Sequence, residues 1–144
     1  MDEILKRLTD KDDKAAYEYA ERICTESAET DQYLEMIPLF AGMLRDRSSY
    51  VRTRGFLLIS SQARWATDGQ LDAVLDEMLP LLNDPKPTVV RQCLKALREV
   101  AFFRPELTER LLQAVDSIDL FGYRDSMAPL IERDAEELKA LLGK

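Results

Sequence analysis

The feature that most constrains this chain is a turn that occurs twice. Met43-Leu44-Arg45-Asp46-Arg47-Ser48-Ser49-Tyr50-Val51-Arg52 is matched by Leu81-Leu82-Asn83-Asp84-Pro85-Lys86-Pro87-Thr88-Val89-Val90-Arg91. Asp46 and Asp84 are 38 residues apart and Arg52 and Arg91 are 39 apart, because the second turn is one residue longer. A fainter copy opens the chain, with Asp10 in the turn and Lys14 in the arginine place, and the tail offers Asp119 and Tyr123-Arg124 at a shorter spacing. A period of this size predicts stacked units, each of which buries its apolar face only against its neighbours.

The units read as helix pairs. Apolar residues recur at about 3.6, most clearly in Val90, Cys93, Leu94, Leu97, Val100 and Ala101, with Arg91, Gln92, Lys95, Arg98 and Glu99 off the stripe. No alternating strand pattern of useful length occurs, and the Asp68-Gly69 pair precedes a helical run. Gly is scarce, at 5 of 144 residues, which suits helix. Caps and breakers predict helices over 2–8, 13–28, 32–45 with a kink at Pro38, 49–64, 70–82 with a late Pro80, 89–102 capped by Thr88, 105–117 and 126–142. The fold expected is all-α: a right-handed α-α superhelix of about seven or eight helices in a single domain, with units over 1–28, 32–65, 70–103 and 105–142.

Two helices per unit, a period near 40, an Asp in the turn and Val-Arg opening the second helix resemble the HEAT repeat, most specifically at 81–91 and more weakly at both ends. The resemblance implies that the turn Asp and the helix Arg bond across a unit, as the pairs Asp46/Arg52 and Asp84/Arg91. Physical chemistry independently favours such pairs, since an Asp before a helix accepts from free N–H groups and Arg bridges a carboxylate with two bonds. These four residues therefore read as scaffold.

Chemistry is harder to find. Histidine is absent, which removes the commonest general base and metal ligand. Cys24 and Cys93 stand in no paired motif, so no zinc or iron–sulfur ligand set and no structural disulfide is expected. No glycine-rich phosphate loop is present. Neither a catalytic residue, a metal nor a cofactor is indicated, and the chain reads as a non-enzyme. Trp65 and Phe102-Phe103 read as packing residues rather than stacking platforms. The charged start Met1-Asp2-Glu3 is no signal peptide, and no apolar run reaches the ~20 residues of a membrane span. A cytoplasmic protein is expected.

A protein-binding module or adaptor is the primary functional expectation. Its partner would be another protein or a peptide segment, and a second copy of the chain is a further candidate. The competing class is nucleic-acid binding or DNA repair, since one family of alkylpurine DNA glycosylases is built from HEAT-like repeats. The net charge of −7 weighs against it, although residues 45–64 carry five arginines against one acid, Asp46. The resemblance implies that successive second helices line a concave face. Registering the units on Lys14, Arg52 and Arg91 and stepping by four gives Glu18, Arg22 and Glu26; Phe56, Ser60 and Arg64; and Lys95, Glu99 and Phe103. Of these, Glu18, Arg22, Phe56, Ser60, Arg64, Lys95 and Glu99 are the expected partner contacts, with Phe56 an aromatic anchor.

Overall fold

The computed structural model describes residues 2–143. Among the described residues it is all-helical, with eight α-helices and no strand: α1 (Asp2–Leu8), α2 (Asp13–Ser27), α3 (Ile37–Met43), α4 (Ser49–Ser60), α5 (Gln70–Met78), α6 (Pro87–Phe103), α7 (Thr108–Asp116) and α8 (Ala128–Leu141). α1 packs on α2, α3 on α4 and α7 on α8, while α6 meets α5 through the 3₁₀ segment Leu79–Asn83. The second helices form one row, α2 against α4, α4 against α6 and α6 against α8. On the other side α3 packs on α5, and Leu79–Asn83 on α7. The all-α expectation holds, and the arrangement is consistent with an α-helical repeat superhelix. No helix among the described residues is long and apolar enough to cross a membrane.

The prolines act differently from the kinks expected of them. Pro38 lies in the first turn of α3, after the 3₁₀ turn Leu34–Met36, so it opens the helix instead of bending one that began at 32. The first turn has no intrahelical acceptor for its N–H groups, so a residue without an N–H fits there at no cost. Pro80 ends α5 at Met78 and converts the chain to 3₁₀. Pro87 opens α6, two residues before the expected start, and Lys86 rather than Thr88 occupies the cap position without a side-chain bond. The polar caps that do form are Asp12 on Ala15 N–H for α2 and Ser48 on Val51 N–H for α4.

α4 is the most enclosed helix, with α2, α3 and α6 around it. Its contact with α3 depends on Gly55. A Cβ there would sit 2.9 Å from both the Met43 Cβ and the Phe40 carbonyl oxygen, so the backbones meet closely only because the side chain is a hydrogen.

The turns carry a repeated device. Asp10 accepts from Asp12 N–H at 2.9 Å, Asp46 from Ser48 N–H at 2.9 Å, Asp84 from Lys86 N–H at 2.9 Å and Asp119 from Phe121 N–H at 3.1 Å. Each turn aspartate thus bonds the N–H two residues on; for Asp10, Asp46 and Asp84 this is just ahead of the second helix of the pair, whereas Asp119 caps the 3₁₀ turn Leu120–Gly122.

The arginines run between units rather than within them. Arg52 gives Nε to Asp84 Oδ2 at 2.8 Å and Nη2 to Asp84 Oδ1 at 3.0 Å, and reaches Asp46 only through its carbonyl, at 2.9 Å. Arg91 gives Nε to Asp134 Oδ2 at 2.7 Å and Nη2 to Asp134 Oδ1 at 3.5 Å. The expected side-chain pairs Asp46/Arg52 and Asp84/Arg91 are therefore corrected to Arg52/Asp84 and Arg91/Asp134. The turn aspartate already faces its own helix N-terminus, whereas the arginine, a turn further along, projects toward the next unit. Asp84 and Asp134 are nearly inaccessible, at 5% and 4% side-chain exposure, so these are bonds of the interior.

Candidate functional site

The row of second helices leaves an open groove of about 580 Å³ across its N-terminal halves. α2 contributes Asp13, Lys14 and Tyr17, α4 contributes Tyr50, Thr53 and Arg54, and α6 contributes Val89 and Gln92. Tyr17 and Tyr50 are 40% and 63% exposed, large aromatic surfaces left uncovered beside an otherwise buried layer. Burial is the main cause of a raised Tyr17 pKa, and Glu21 adds to it, so the ring keeps its hydroxyl proton.

Toward the C-terminal ends of the same helices a second cluster forms. Cys24 Sγ donates to the Leu57 carbonyl at 3.8 Å. Burial pushes its thiol up to about 11, with a hydrogen bond from Ser61 acting against that and Glu99 and Glu21 adding to it. The Arg64 guanidinium lies 4.6 Å over the Phe103 ring. Burial also raises the Glu99 carboxyl, and the Arg64 charge partly offsets it. Arg64, Glu99 and Phe103 are thus brought together.

The remaining expected contacts fare differently. Phe56 is 0% and Ser60 1% exposed, so neither meets solvent or a partner. Arg52 points at the neighbouring turn and not outward, so stepping by four from it follows the packed side of α4. A helix advances about 100° per residue, and the open strip lies roughly that far round, at Tyr50, Thr53 and Leu57. Phe56→Ala would probe the core, not binding. Glu18 and Arg22 are exposed but do not line the groove; Arg22 instead faces the Tyr19 ring at 5.4 Å, with Arg7 over the same ring at 3.8 Å. Glu26 accepts from the Tyr33 hydroxyl at 2.9 Å. Lys95 is exposed, about 100° round α6 from Ala96.

Trp65 donates Nε1–H to the Ser27 carbonyl at 2.6 Å, so it reaches back to the end of α2. Phe103 is half-buried and meets Phe102 edge to face at 4.8 Å, but Phe102 itself is 78% exposed and is not a packing residue. Cys93 is fully buried, and burial raises its thiol pKa well above the ordinary value. The groove residues Tyr17, Tyr50, Thr53, Arg54 and Gln92 were missed by spacing from the arginines. For α6 the usable signal was the side opposite the stripe Val90, Cys93, Leu94 and Leu97, where Gln92 and Glu99 fall.

No family model matches the chain, and no solved structure does. It is similar to the AP-4 complex subunit beta-1 of Mus musculus, at 29% identity over 110 residues, an alignment covering 69% of this chain. The chain spans 15% of the length of that protein, so the likeness concerns a part of that subunit and not the whole.

Proposed function

We propose that this chain is a non-catalytic, HEAT-like helical-repeat segment that binds another protein, and that the partner lies along the groove over α2, α4 and α6. The observation that carries this reading is the pair of exposed tyrosines, Tyr17 and Tyr50, on a trough built from three successive second helices. Tyrosine gives a large amphipathic contact at small entropic cost, and an extended face of stacked helices suits a peptide or a helix. The likeness to a protein named as the subunit of a complex supports the same class.

The test is site-specific photo-crosslinking in native lysate. A photoreactive residue at position 50 should capture one discrete protein, and the same residue at Gln113, exposed on α7, should not. Tyr17→Ala should weaken that capture while leaving the helical circular dichroism unchanged. Capture from position 113 alone would move the binding face to the other side of the molecule.

A further inference from the structure

We infer that a second interaction surface lies on the other side of the molecule, where a trough between α3 and α5 takes an apolar protein segment that carries a lysine or arginine. This surface is independent of the groove over α2, α4 and α6. The trough is open and encloses about 460 Å³, a size at which pockets hold ligand groups.

Its shape follows from two small residues. α3 packs on α5, and Arg45 bonds Glu77 at 3.2 Å. Ala41 and Ala73 each stand four residues earlier, so they lie level with one another about one turn back. Two methyl groups leave the space between neighbouring helices unfilled, and that space is the trough. Ile37, Ala41 and Val74 form its floor, at 5%, 8% and 4% exposure. Pro38 and Ala73 form exposed apolar edges, so an incoming side chain meets apolar surface from the rim inward. The lining holds three polar side chains, Glu35, Gln70 and Glu77. Two of them are engaged: Gln70 Oε1 accepts from the Asp68 N–H at 2.8 Å, and Glu77 holds Arg45. Glu35 is exposed and forms no ion pair among the described residues.

The charge around the trough is one-sided. Residues 23–44, which contain α3, hold four acids and no lysine or arginine, and residues 65–85, which contain α5, hold five acids and none. These are the two longest stretches of the chain without a basic residue, and the fold sets them side by side. Three of the nine acids are paired by arginines from outside both stretches: Glu77 by Arg45, Asp76 by Arg110 and Asp84 by Arg52. The other six, Glu35 among them, form no ion pair among the described residues. A partner that is apolar with a basic residue beside its anchors matches this surface. Its aliphatic side chains fill the trough, and its ammonium or guanidinium meets Glu35 at the rim. Burial then supplies the affinity and the charge sets the preference. An acidic segment or a phosphate backbone would be repelled from the same rim.

The experiment is an NMR titration of the ¹⁵N-labelled full chain at about 0.15 M salt, following the amide signals of Ala41 and Ala73. The probes are acetyl-Lys-Lys-Leu-Ser-Leu-Leu-amide, its Gln-Gln counterpart, and the Lys-Lys peptide with serine in place of every leucine. The Lys-Lys-leucine peptide is expected to shift both signals and to bind about fivefold more tightly than the Gln-Gln peptide, as one exposed ion pair allows. The serine peptide should leave both signals in place. Glu35→Gln should remove most of the preference for lysine, whereas Glu132→Gln, an exposed change on α8, should keep it. Ala73→Gln puts a longer side chain at the exposed edge of the trough and should weaken both leucine peptides, with the helical circular dichroism unchanged. Equal binding of the Lys-Lys and Gln-Gln peptides, or a preference that survives Glu35→Gln, overturns the inference. So does a serine peptide that binds as well as the leucine one, which would mean attraction to net charge alone. Shifts confined to Thr53 and Gln92, or no shift with any peptide, overturn it as well, and the first of these would leave the groove over α2, α4 and α6 standing.

Discussion

Asp84 concentrates four bonds in one residue. Its carboxylate takes Arg52 Nε and Nη2 and the Lys86 N–H, and its carbonyl accepts from the Tyr123 hydroxyl at 2.7 Å. Asp84→Ala leaves the Arg52 guanidinium without its carboxylate in a site where it is only 16% exposed. Breaking a buried pair this way should cost about 3 kcal/mol in urea denaturation. Arg98→Ala removes a pair with Glu137 whose members are 42% and 49% exposed, and should cost under about 0.5 kcal/mol. Similar midpoints for the two variants would contradict the cross-unit bonds. Glu99 makes a pH prediction at the same scale. Burial raises its carboxyl pKa in the fold, so folding favours the protonated form. The stability this contributes is present at acid pH and is lost as pH rises through the raised value. The melting temperature of Glu99→Gln relative to wild type should therefore climb between about pH 4 and about pH 7, and a falling difference would refute the assignment.

Among the elements, α4 shows both how far the sequence could be read and where it stopped. Gly55→Ala should destabilise even though alanine is favoured over glycine in a helix by about 1 kcal/mol. The added methyl meets the Phe40 carbonyl and Met43 at 2.9 Å, so α3 must move away, and overpacking of this kind typically costs about 1–3 kcal/mol. A rise in thermal midpoint would show that the α3–α4 contact is loose. The helices themselves were legible because the 3.6 period, the caps and the turn aspartates are local signals, and α6 kept its stripe from Val90 to Ala101. The open strip of α4 was not legible. With α2, α3 and α6 on three sides, its buried residues run almost all the way round, Val51, Arg54, Gly55, Phe56, Leu58, Ile59 and Ser60 among them. Periodicity then marks no outward face, because only the neighbours decide which residues stay open. The prolines illustrate a second limit, since Pro38 reads as a kink or as a start depending on where the chain before it turns.

For the molecule as a whole, the charge distribution bears on the choice of partner. A net charge of −7, with Asp13, Glu21 and Glu99 on or beside the row of second helices, should repel a phosphate backbone. Fluorescence anisotropy with labelled duplex and single-stranded DNA is expected to show weak or no binding at about 0.15 M salt. Tight binding that weakens steeply with added salt would instead restore the DNA-repair alternative. The cross-unit bonds have a consequence for how such an array could lengthen. Asp46 and Asp84 hold their own helix starts in the same way, and Arg52 reaches forward to the turn aspartate of the next unit. A tandem duplication of residues 46–83 would bring a new acceptor for the old Arg52 and a new Arg52 for the old Asp84. Both ends of the inserted copy would find their chemistry already waiting, so the chain carries at this junction the fitting by which a further unit could be spliced in.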